Sequence, residues 1–293
     1  MAPPYVFLAH RAVLALTGPD TIAMLERLVT HGTSTWPPGD TRYGALLTPQ
    51  GKVIADYLAL RTDDGVLIDV AADALADLKK RLTLFRLRAN VTITVRDDLF
   101  VIAGTAPAEQ GPRPISGAAH VLVDPRFPGG RLRGLATEAE WQAWYGVHAA
   151  EWSLPLPDYH TDRIRHGVAE WGADFGAADV FPADINMDQL GGVDLKKGCF
   201  VGQEVVSRMH RRGKIRRRTL TVEGDQLEVG AALEAGSALG EITSVEGRMG
   251  LARVRIDRLA KADRSALTVG GHAVSVSAPA WLTAEIDASI ADA

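Results

Sequence analysis

The chain has 293 residues, 46% of them hydrophobic, enough to bury a full core spread over two or three units. A single cysteine excludes an internal disulfide and any zinc site built from several thiolates. The net charge of −4 excludes a protein that coats nucleic acid with its whole surface, so any basic site is local.

The opening stretch MAPPYVFLAHRAVLAL lacks the basic segment, long apolar run and cleavage site of a signal peptide, and no apolar run reaches membrane-spanning length. A cytoplasmic protein with no membrane partner is the expectation. PDTIAMLERLVTHG places Ile22, Leu25, Leu28 and Val29 at helical spacing, with Asp20 as cap and Gly32 as stop. GKVIADYLALR and GVLIDVA are β-rich runs joined by TDDG, a hairpin signal. A stripe of Leu75, Leu78, Leu82 and Phe85 then predicts a second helix, and VTITV another strand. Helices alternating with antiparallel pairs predict an α+β unit of the split βαβ kind, and no GxGxxG or Walker loop follows a strand.

GTAPAEQGPRPISG, residues 104–117, reads as a long loop and a soft boundary. TEAEWQAWYGVHAAEW restarts a helix, with Thr137 and Glu140 in capping-box spacing and Trp141, Trp144 and His148 near one face as core. After Arg218 short β runs with glycine turns predict a small β-barrel or sandwich, and AEIDASIADA a frayed tail or a terminal helix turn. Three units are expected: 1–103, 104–215 and 216–293.

The only cysteine, Cys199, stands between Gly198 and Gly202, just ahead of a helix carrying Val205, Val206 and Met209 on one side. A helix N-terminus, Lys197 and Arg208 favour a thiolate there, and Glu204 opposes it, so partial activation is expected. The block RMHRRGKIRRR holds six arginines, one lysine and one histidine in eleven residues. It reads as a solvated face, a clamp for an anionic tail, or an RNA contact; no aromatic interleaving or RNA module accompanies it.

KKGCFVGQE resembles the K-G-C-[FY]-x-G-Q-E signature of the folate-binding YgfZ family, relatives of the glycine cleavage aminomethyltransferase (T protein). Lys197, Gly198, Cys199, Phe200, Gly202, Gln203 and Glu204 fill it. GALLTPQGKVIADYLAL, FPADINMDQLGGVDLKKGC and GSALGEITSVEGRMGLARVR resemble the family's hairpin, its approach to the signature and its terminal barrel. The resemblance implies an α+β cloverleaf around a central cavity with a C-terminal β-barrel. It also implies non-covalent binding of tetrahydrofolate or a derivative, transient contact with iron–sulfur client or assembly proteins, tRNA modification among the processes served, and no stable metal.

A folate needs an apolar slot, a carboxylate for its N–H donors and cations for its glutamate tail. Asp56 and Tyr57 lie on a strand whose alternation sends them to opposite faces, so at most one lines the cavity, Asp56 having the stronger claim. Arg163 and Asn186 match positions near the family's cavity. The related transferases carry paired acids where this chain has Ala55 then Asp56, which weakens aminomethyl transfer and makes it the alternative activity. The protein is therefore expected to act as a folate-binding factor with Cys199 as functional thiol rather than as a conventional enzyme, with RNA binding through 208–218 ranked third.

Overall fold

The computed structural model of the protein describes residues 5–107, 120–145, 156–211, 213 and 215–291. Strands β1 (Tyr5–Phe7) and β2 (Arg11–Thr17) lead into α1 (Thr21–Leu28), which buries Thr21, Met24, Leu25 and Leu28. Asp20 stands at the start of α1 without capping it: its carboxylate accepts instead from the Asn90 N–H at 2.7 Å. The helix stops at Leu28, four residues short of the glycine expected to end it.

Strands β3 (Thr41–Leu47), β4 (Val53–Arg61) and β5 (Gly65–Ala71) are followed by α2 (Ala72–Arg86) and β6 (Thr92–Val95). They form a five-stranded sheet with β2, in the order β3-β4-β5-β2-β6, every pair antiparallel. The expected split βαβ unit is present: β5 and β6, joined by α2, both pair antiparallel with β2 and so run parallel to each other on either side of it. Both α1 and α2 pack on one face, over Leu14, Leu16, Tyr57 and Ile68. The other face carries Val13, Leu58 and Leu67 into a core shared with a second sheet. Covered on both sides, β4 and β5 are buried at nearly every position, which is why they read as continuous apolar runs.

The second sheet comprises β7 (Phe100–Pro107), β8 (His120–Asp124), β9 (Arg131–Ala136) and the first strand, in the order β1-β7-β9-β8. The boundary expected at 103/104 thus falls inside β7, and Tyr5 pairs with Gly104 across it. Of the expected loop, 104–107 belong to β7, and the rest lies outside the described residues. Helix α3 (Glu138–Tyr145) starts on the expected capping box: Glu140 Oε2 accepts from the Thr137 N–H at 2.7 Å, and Thr137 Oγ1 accepts from the Glu140 N–H at 3.3 Å. Trp141 is fully buried; the Trp144 side chain and His148 lie outside the described residues.

Helices α4 (Leu156–Arg165) and α5 (Gln203–Arg211) precede strands β10 (Arg217–Gly224), β11 (Ala232–Glu234), β12 (Ala238–Glu246) and β13 (Met249–Arg255). A short α6 (Ile256–Leu259) leads to β14 (Thr268–Val269) and β15 (His272–Ser277), and the six strands close into a barrel, β10-β13-β12-β11-β14-β15. Closure removes the exposed edges that such short strands would otherwise present. Of the two expectations for the end of the chain the helical one holds, extended beyond a single turn: α7 (Ala280–Ala291) is a twelve-residue helix that inserts Leu282 and Ile286, four residues apart, into the barrel core.

Candidate functional site

The segment before α5 is fastened residue by residue. Asp194 Oδ1 accepts from the Lys196 and Lys197 N–H groups at 2.8 and 3.1 Å. The Lys197 ammonium donates to the Val29 and His31 carbonyls at 2.9 and 2.7 Å and stands 3.5 Å from Glu26 Oε2. Burial pushes its pKa down, with Glu26 opposing. Lys197 is therefore a staple to the N-terminal layer, which corrects its expected part as the cation that favours a thiolate. Phe200 enters the core shared by the two sheets, and so does Val206 one turn into α5. Gln203 Nε2 reaches back to the Lys197 carbonyl at 3.5 Å, while Glu204 and Arg208 are exposed. Cys199 is exposed as well.

The two glycines differ. Gly202 has φ +81°, and a Cβ there would stand 2.6 Å from the Thr48 carbonyl oxygen and 3.0 Å from Gly51 Cα, so the β3–β4 turn seats directly on it. Nothing lies within 4 Å of a Cβ at Gly198. Gly202→Ala is expected to destabilise the fold by about 2 kcal/mol or more, through strain and a backbone clash. Gly198→Ala is expected to stay within about 0.5 kcal/mol of the parent. Thermal unfolding of the two variants side by side checks this; equal losses would contradict it.

A cavity of about 700 Å³ opens where the second sheet, the end of α4, the 186–191 segment and the barrel meet. Phe127, Leu190 and Leu220 give it apolar wall, and Arg126, Arg165, His166 and Asn186 give it polar groups. Asn186 follows a 3-10 turn (Pro182–Ile185) in the left-handed conformation, φ 59°. Its Nδ2 donates to the Thr219 carbonyl at 2.8 Å, and its buried Oδ1 has no donor among the described residues. Arg126 and His166 gave no signal in the sequence. Arg126 sits in a turn, and its guanidinium is aimed by Asp124, to which Nε and Nη2 donate at 2.9 and 2.7 Å.

Asp56 lies behind this wall. Arg126 Nη1 stands 3.9 Å from Asp56 Oδ2, the Tyr43 hydroxyl donates to the same oxygen at 3.2 Å, and Oδ1 is a second buried acceptor without a donor among the described residues. Burial pushes this carboxyl above its ordinary range, with Arg126 and Arg11 pulling it back. Tyr57 points to the opposite face, edge-on to the His31 ring at 5.9 Å under the helices, so it is corrected from a folate contact to a core residue.

Arg163 is likewise corrected. Its Nε donates to His160 Nδ1 at 2.9 Å, Nη1 to Asp174 at 2.6 Å and Nη2 to Ser244 Oγ at 2.8 Å, bolting α4 to the barrel. Its neighbours Arg165 and His166 line the cavity instead.

The basic block is not one surface. Arg218 is fully buried, donating to Asp188 at 2.6 and 2.9 Å and to Glu285 at 2.5 and 3.1 Å. Arg208, Arg211, Arg216 and Arg217 are exposed; Arg212 and Lys214 lie outside the described residues.

A family model described as the CAF17 C-terminal β-barrel domain matches residues 216–284. The mitochondrial iron–sulfur cluster assembly factor IBA57 homologue of Mycosarcoma maydis is 34% identical over 223 residues, 71% of this chain and 54% of that protein. Human mitochondrial IBA57 is 27% identical over 300 residues, 92% of this chain and 83% of that one. This chain spans just over half the length of the Mycosarcoma maydis relative and of the Coccidioides immitis one. The crystal structure of glycine cleavage system aminomethyltransferase T from Bartonella henselae superposes with a TM-score of 0.73 at 15% identity, covering 94% of this chain and 84% of that one. The α+β fold with a C-terminal barrel, of the aminomethyltransferase kind, is thereby established. The motif resemblance pointed to the YgfZ family, whereas these relatives are named IBA57. The cytoplasmic expectation is overturned, because these relatives, from fungi to human, are mitochondrial proteins.

Proposed function

We infer, because this chain is a relative of the IBA57-family iron–sulfur cluster assembly factors, that it serves the assembly or repair of iron–sulfur proteins, holding a reduced folate in its central cavity and acting through Cys199. The observation that carries this reading is how the motif divides its residues. Lys197, Phe200 and Gly202 are taken up by packing, and the one thiol is left in solvent. A lone sulfur supplies one of about four ligands, so any cluster at this site is cargo shared with a partner.

The cavity suits a reduced folate. Asn186 Oδ1 and Asp56 Oδ1 are the buried acceptors that pterin N–H groups would satisfy, Asp56 after a shift of Arg126; Phe127 and Leu220 form the slot, and Arg165 is a cation for the glutamate carboxylates. Ala55 is buried on the helix-covered face of β4, away from Asp56, so Asp56 is the one member of that position pair on the cavity side. Calorimetric titration with tetrahydrofolate and its 5-formyl derivative tests the binding. Asp56→Asn is expected to weaken it about tenfold, or about 1.4 kcal/mol. The absence of both heat and a thermal shift at millimolar folate would sink the folate part of the reading.

A further inference from the structure

We propose that the cationic pocket between α5 and the mouth of the barrel docks an acidic segment of a partner protein. The pocket, of about 260 Å³, is walled by Lys52, Arg216, Arg217 and Arg255 over a floor that includes Phe181 and Met209. Four cations converge there on a chain whose net charge is −4. Arg255 is held by Asp257, with Nε and Nη2 donating at 2.8 and 2.7 Å. Lys52, Arg216 and Arg217 make no ion pair among the described residues. Lys52 donates to the Asp179 carbonyl at 2.7 Å, and Arg216 and Arg217 are exposed. One acid is part of the lining: Asp184 accepts from the Phe181 N–H at 2.9 Å and lies within the field of Lys52 and Arg217, so the pocket holds four cations against one carboxylate, while Asp179 pairs with Arg253 at 2.6 Å.

An apolar floor under a rim of cations fits a segment that mixes carboxylates with apolar side chains. It does not fit RNA: the Lys52 ammonium sits 4.0 Å over the Phe181 ring and takes the face on which a base would stack. Met209 lies near the C-terminal end of α5, and Cys199 precedes the first residue of that helix by four, so the pocket and the thiol stand at opposite ends of one helix.

Fluorescence anisotropy with a labelled hexaglutamate peptide and the full chain, without folate or iron, is the test. Arg216→Ala/Arg217→Ala is expected to weaken binding at least tenfold. Lys79→Ala/Lys80→Ala, which removes equal charge from α2, should stay within twofold, and a single-stranded oligonucleotide of equal charge should compete poorly. Equal losses in the two double variants would overturn the proposal, as would an oligonucleotide that outcompetes the peptide. Folate binding is measured separately, so either result can fail without the other.

Discussion

Cys199→Ser is expected to leave stability within about 0.5 kcal/mol of the parent while removing function. The local path does not depend on the sulfur: Asp194 fixes the turn, Lys197 ties it to the N-terminal layer, and Phe200 anchors it in the core. The thiol itself is exposed, so exchanging sulfur for oxygen opens no cavity. The native protein should take up one equivalent of an alkylating reagent, since the chain has one cysteine. A thiol that labels only after unfolding, together with a serine variant that unfolds well below the parent, would make the sulfur a packing element.

Arg218→Met should be among the most destabilising single changes, at about 3–5 kcal/mol, because it takes from the buried Asp188 carboxylate the guanidinium that donates to both of its oxygens. Arg218 joins three parts of the molecule: its own strand β10, Asp188 in the segment that walls the cavity, and Glu285 on α7. Asp188 is nearly as buried as Arg218, so removing the cation leaves a carboxylate in a poorly solvated place. A fall in Tm on the order of 10 °C is expected. Adding Asp188→Asn to the variant should recover part of it. A single-variant loss below about 1 kcal/mol would mean that barrel packing alone holds α7.

The sequence revealed what depends on near neighbours and hid what depends on distant ones. The β4–β5 hairpin and the Thr137–Glu140 cap were legible because turn and cap chemistry is local. So was the opposition of Asp56 and Tyr57, which follows from the pleat alone. The cavity was not, because its walls come from segments near 126, 166, 188, 220 and 278 that only the closed fold brings together. The basic block misled for the same reason: the acids that bury Arg218 lie 30 and 67 residues away. Lys197 looked like a partner for its neighbour Cys199 and turned out to bind carbonyls 166 and 168 residues distant.

The most direct measurement is rescue of iron–sulfur enzyme activity in cells lacking their own IBA57-type factor, with wild-type and Cys199→Ser protein expressed to matched folded levels. The wild type should restore the activity and the serine variant should leave it at the level of empty cells. Full rescue by the serine variant would contradict a functional thiol, and failure of the wild type in a strain that a known IBA57 restores would contradict the assembly role itself.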